Sequence, residues 1–209
     1  MNEAPQGSDA TARSRTEHLV PTHRMLALAD GVTAIAMTLL VLDIKLPEGL
    51  RGTELREALD EAWPQVGTFL LSAVVIALFW RAHQATLRHA KAIDLPLFWL
   101  NVAFLALISL IPFPTAVLHD YGDRPLGPGL YGAVIGTTAL LVYAMAARVN
   151  RLSDAAERRR LPFPAQACVF LLSVGIAEIS PTAAIYSWAA TVPLAAVANS
   201  VAVRRQRTR

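Results

Sequence analysis

The chain has 209 residues, 54% of them hydrophobic and only 17% charged, against about 25% charge in soluble globular proteins. The positive balance, +3 at neutral pH with a pI near 9.4, gathers at the ends of alternate apolar tracts, which excludes a nucleic-acid face and marks membrane topology. The lone cysteine, Cys168, excludes an intrachain disulfide or a thiolate metal cluster.

A hydrocarbon core about 30 Å thick takes roughly 20 apolar residues of helix to cross. Windows of that kind run from Met25 to Ile44, Pro64 to Trp80, Leu95 to Val117, Gly129 to Ala147, Ala165 to Ala177 and Ala183 to Val203. The expected fold class is therefore an all-α integral membrane protein with six transmembrane helices per subunit. Residues 1–22 are polar and lack an apolar core, so they read as a disordered cytoplasmic tail rather than a signal peptide. Residues 23–203 form the transmembrane domain, and 204–209 a basic tail. Between the first two windows, Thr53 is expected to cap a short surface helix, Glu54 to Ala62. Pro112 and Pro114 are placed to bend or end the third span. Gly132 and Gly136 form a small-xxx-small pair that permits close helix approach within the subunit.

With the N-terminus in the cytoplasm, the inside segments hold 15 of the arginines and lysines and the outside segments 4. An even number of spans puts both termini on the cytoplasmic side. The expected location is a plasma membrane, crossed several times.

Charged groups in a membrane helix are costly and mark function. The first window carries Asp30 well inside its span and Asp43 at its far end. Arg24 lies six residues before Asp30, about 240° around the helix, and is poorly placed to pair with it. The expected partners of Asp30 are Trp80 and His83, or Asn101. Its role is either a buried packing network or direct handling of ions or protons. On the same helix Ile35, Leu39 and Leu42 stand at i, i+4 and i+7 and form an aliphatic stripe about 60° wide, with Thr38 beside it. Spacing alone leaves open whether that stripe meets lipid, a neighbouring helix or a pore.

The run from Arg24 through Asp30-Gly31 to Asp43-Ile44 resembles the first helix of the transmembrane protein 175 family, whose signature is an arginine, three variable residues and Phe-Ser-Asp. Leu28 and Ala29 replace the Phe and the Ser. Trp80-Arg81-Ala82-His83, Trp99-Leu100-Asn101 and Ser109 to Thr115 follow in order, so the resemblance covers Arg24 to Tyr143 by motif and the last two helices by hydropathy. The resemblance implies a potassium-permeable channel with no cofactor, built as a homotetramer in membrane lipid, the first helix of each of four subunits lining the pore. Carried over, it puts the constriction at Ile35, with Leu39 and Leu42 as further rings, Thr38 as polar neighbour and Asp43 at the outer mouth. Arg24, Asp30, Trp80, His83, Trp99 and Asn101 become a structural polar network. The competing readings are a proton leak or proton-coupled transporter using Asp30, His83 and Glu178, and a non-conducting membrane scaffold. The five histidines are scattered and His83 and His89 lie six apart, so no metal site is expected. No nucleophile, base and orienting group form a set, so an enzyme is not expected either.

Overall fold

The structure, a computed structural model, describes residues 21–44, 49, 51–90, 93–153, 161 and 163–189. The expected tails lie outside them, except that Pro21 and Thr22 already open the first helix. Among the described residues seven α-helices follow in order: α1 Thr22–Leu40, α2 Thr53–Leu87, α3 Leu95–Leu110, α4 Pro112–Asp120, α5 Leu126–Leu152, α6 Ala165–Ile179 and α7 Pro181–Ala189. A short 3-10 turn, Val41–Asp43, extends α1. Among the described residues, four segments are long and apolar enough to span a bilayer: Thr22–Asp43, Thr53–Leu87, Leu95–Asp120 and Leu126–Leu152. The fifth window forms the 15-residue α6, and the sixth begins in α7 and runs on outside the described residues.

One element differs from the sequence reading. Thr53 is not a cap: Gly52, at φ 62°, closes the helix start, and α2 continues unbroken for 35 residues through Pro64. Proline costs an interior helix one donor and crowds the carbonyl four residues back. The Thr68 hydroxyl donates 2.9 Å to the Gln65 carbonyl, one turn back on the same helix. At 1.5 Å per residue α2 is about 52 Å long, more than a bilayer core needs. The third span, by contrast, breaks at Ile111 into α3 and α4, because Pro112 and Pro114 together remove two neighbouring donors. The Ile108 carbonyl, which loses its usual donor to Pro112, takes the Ile111 amide at 3.2 Å instead, a local tightening of the kind a proline in a membrane helix calls for.

α5 is the hub, packing on α2, α3, α4, α6 and α7, while α1 leans on α2, α3 and α4. Among the described residues its most extensive seam is with α6. A methyl added at Gly132 would lie 2.6 Å from Ser173 Oγ, and one at Gly136 2.8 Å from the Leu171 side chain. Lipid tails are as apolar as leucine, so this packing is held by dispersion and hydrogen bonds rather than by removal from water. Hydroxyls supply the bonds. Ser72 of α2 meets Thr115 Oγ1 at 2.8 Å and Tyr131 OH at 3.2 Å, all three side chains buried. Trp188 of α7 donates 2.9 Å to Ser173 Oγ, and its ring lies 5.0 Å from that of Tyr131.

Candidate functional site

α1 has two unlike faces. Met25, Ala29, Thr33, Ala36 and Leu40 are buried at steps of three and four, the period of one helical stripe. The other face is uncovered: Leu28, Ile35, Leu39 and Leu42 are 53%, 61%, 42% and 66% exposed. Thr38 is exposed too, and its hydroxyl donates 2.8 Å to the Ile35 carbonyl of its own helix. The small residues Ala27, Gly31 and Ala34 run beside the aliphatic stripe, all exposed.

Asp30 sits at the edge of the buried face, turned toward α2. Its Oδ1 accepts from Trp80 Nε1 at 2.7 Å and from the Gln84 side-chain amide. Trp80 and Gln84 are four residues apart, so both reach the same level of α1 from one side of α2. Gln84 was missed in the sequence, although its i+4 relation to Trp80 was the available signal. His83 and Asn101 do not bond Asp30 but pair with each other, Nε2 to Oδ1 at 2.6 Å. The imidazole is fully buried and stacks on Phe104, ring centroids 4.7 Å apart. Asn101 Nδ2 points toward Met25 Sδ at 4.0 Å, tying α3 back to α1. With Asn101 Oδ1 as acceptor, Nε2 carries the ring proton and Nδ1 has no partner among the described residues.

The structure leaves two named residues outside this cluster. Arg24 is exposed, with no side-chain hydrogen bond or ion pair among the described residues. Trp99 is 60% exposed and touches the Phe98 ring edge-on at 5.5 Å. The helix period explains both, since Trp99 is about 200° around α3 from Asn101. Glu178 is exposed on α6, whose packing partners are α5 and α7.

At the end of the bundle that carries Arg81, Arg88 and Arg148, Asp94 caps α3. Its Oδ1 accepts from the Leu97 amide at 3.1 Å, and Oδ2 takes Arg148 Nε at 2.9 Å together with a second guanidinium nitrogen. Donation from Arg148 holds the Asp94 carboxyl below the usual carboxylate range, with partial burial working the other way. This pair fastens α3, and with it Asn101, to the far end of α5. At the opposite end a cavity of about 240 Å³ opens between α1, α2 and α4, lined by Asp43, Gln65, Thr68, Thr115, His119 and Asp120 among others. Asp43 therefore borders a crevice of its own subunit. Among the described residues no three His, Cys, Asp or Glu side chains converge as metal ligands.

The chain is 33% identical over 170 residues to a potassium channel of Streptomyces collinus, an alignment covering 75% of this chain and 82% of that protein. The family model described as endosomal/lysosomal potassium channel TMEM175 matches residues 24–112, the stretch from α1 to the break after α3. The chain belongs to the TMEM175 family. A potassium channel of Chamaesiphon minutus is 32% identical over 160 residues, covering 73% of each chain. The crystal structure of a lysosomal potassium-selective channel TMEM175 homolog from Chamaesiphon minutus superposes with a TM-score of 0.68 at 26% identity, covering 85% of this chain and 98% of that one. Membership of TMEM175 makes the chain a membrane protein of an ion-channel family and not an enzyme, and the Asp30 cluster lies wholly within the matched residues.

Proposed function

We propose that the chain is one subunit of a homotetrameric, potassium-permeable channel whose pore is lined by α1. The observation that carries the reading is the uncovered aliphatic face of α1, Ile35 at 61% and Leu42 at 66% exposed, on a helix whose opposite face is fully packed. Lipid alone would accept that face. The similarity to potassium channels, which includes a family-model match over α1 to α3, favours a shared axis between copies, and the small residues Ala27 and Ala34 beside the stripe suit close approach of a neighbouring helix.

In this arrangement four Ile35 side chains form an apolar neck, which stops ions by shedding water and passes them when it widens enough to stay wet. Leu39 and Leu42 continue the lining. Thr38 contributes little polarity while its hydroxyl serves its own backbone. Four copies of Asp43 concentrate cations at the outer mouth through their field. Trp80 and Gln84 hold Asp30, and with it the rotation of α1, while His83 and Asn101 brace α2 against α3. The arginine and lysine distribution supports six spans with both termini in the cytoplasm, and the relatives in Streptomyces collinus and Chamaesiphon minutus support a bacterial plasma membrane.

Potassium flux into liposomes holding the purified protein tests the reading. Ile35→Asn places a polar ring at the neck and is expected to raise flux by about tenfold or more, given how strongly an apolar constriction dewets. Equal flux in the wild type, Ile35→Asn and Ile35→Ala would remove Ile35 from the pathway. A cross-linking ladder that stops short of four subunits would overturn the tetramer.

A further inference from the structure

We propose that Leu28 forms a second apolar ring, nearer the end of the bundle that carries the arginines, and that Gly31 leaves a wider chamber between it and the Ile35 neck. The proposal rests on the pore reading above, and its argument is one of register. Leu28, Ile35 and Leu42 stand seven residues apart. Seven residues turn an α-helix through about 700°, so Leu28 lies only about 20° from Ile35, with about 10.5 Å of rise between them, and Leu42 follows in the 3-10 turn that continues the helix. A straight helix that turns Ile35 toward an axis turns Leu28 toward it as well. The three are alike in the structure, 53%, 61% and 66% exposed, and α1 is unbroken from Thr22 to Leu40, so no kink carries Leu28 off the line.

Gly31 lies about 40° from Ile35 and one turn toward Leu28. It has no side chain, and a methyl built there would meet nothing within 4 Å. In a fourfold assembly that level is therefore walled by backbone and by space, between two belts of branched aliphatic carbon. A wet chamber bounded by two necks behaves differently from a single neck. Conduction then requires both rings to be wet at once, so the two necks act as barriers in series. Asp30 follows the Leu28 level by two residues and is held by Trp80 and Gln84, so the inner ring is the one whose spacing the polar cluster controls.

The test is cysteine modification in single-channel recordings from planar bilayers, in a Cys168→Ala background. Leu28→Cys, Ile35→Cys and Leu42→Cys are each exposed to a cationic thiol reagent from one side and then the other. The expected result is loss of current by at least about fivefold for Leu28→Cys from one side and for Leu42→Cys from the opposite side, because a charged adduct plugs a narrow apolar ring. Leu28→Ser is expected to raise the unmodified current by about threefold, as a polar ring stays wet more easily. Current that ignores both Leu28 substitutions while Ile35→Cys and Leu42→Cys respond overturns the second ring and leaves the pore reading standing. Indifference at all three positions means that α1 does not line the pathway at all. Should Leu28→Cys fail to assemble, Leu28→Ser added to Ile35→Asn decides: with the Ile35 neck already polar, no further increase in current refutes the inner ring.

Discussion

Gly132→Ala is the sharpest probe of how this bundle is held together. The added methyl carbon would lie 2.6 Å from Ser173 Oγ and 3.0 Å from the Phe170 carbonyl oxygen. Ordinary contact begins near 3.4 Å, so α5 and α6 must part by about 0.8 Å, or the Ser173 side chain must rotate away. Rotation is costly. Ser173 Oγ donates 2.7 Å to the Phe170 carbonyl and accepts from Trp188 at 2.9 Å, so turning it strips the buried indole of its acceptor. Overpacking costs typically 1–3 kcal/mol, a side-chain hydrogen bond in a membrane interior about 0.6 kcal/mol, and the better helix propensity of alanine returns at most about 1 kcal/mol. The balance is a destabilisation of about 1–3 kcal/mol. Gly175→Ala, on an exposed turn of α6 where nothing lies within 4 Å, supplies the control and is expected to be neutral or slightly stabilising. Both are measured by reversible unfolding in mixed detergent micelles, with Trp188 fluorescence reporting on its acceptor. Gly132→Ala as stable as Gly175→Ala would refute the close α5–α6 seam, and with it the claim that glycine is there for contact.

Trp80→Phe removes one of the two donors to Asp30 and keeps the ring; it is expected to lower stability in the same unfolding assay by about 1–2 kcal/mol, the upper range for a hydrogen bond inside a membrane protein, whereas an unchanged unfolding midpoint would mean that Gln84 alone holds the carboxylate. Asp94→Asn keeps an oxygen for the Leu97 amide but loses the charge facing Arg148. Because the folded carboxyl titrates below its ordinary value, its contribution is complete above about pH 4 and fades as pH falls through the depressed value. The variant should therefore unfold more easily by up to about 1 kcal/mol at neutral pH, the usual scale for a partly exposed ion pair, and match the wild type in strong acid. A gap that persists at low pH would assign the effect to the cap rather than to the charge.

Several of these contacts were legible in advance. Asp30 is a carboxylate in an apolar run, which demands a donor from a neighbouring helix, and Trp80 was one of few donors at a matching depth. His83 and Asn101 were visible as polar residues in the right spans, but not as partners of each other. Their pairing depends on how α2 and α3 rotate about their axes, and single-helix periodicity carries no information about rotation between helices. Arg24 and Trp99 belong to the family-like motifs, yet each lies on a face turned away from the cluster. The hydroxyl chain of Ser72, Thr115 and Tyr131 gave no local signal, because serine and threonine satisfy themselves on their own backbone and are tolerated anywhere in a membrane helix.

What the amino-acid order determined alone was the solvent of each segment and the period of each helix. Apolar lengths near a bilayer's thickness, arginines at alternate ends and an aliphatic heptad on α1 are one-dimensional properties, and one-dimensional physics suffices to read them. Only the tertiary structure decided which face of α1 is packed, that α2 carries Pro64 through without a break, and that Asp30 is held by Trp80 with Gln84. The reason is that hydrophobicity does not discriminate between faces once lipid is the alternative to protein. Inside a bilayer, the choice falls to shape and hydrogen bonding, which exist only after the helices have met.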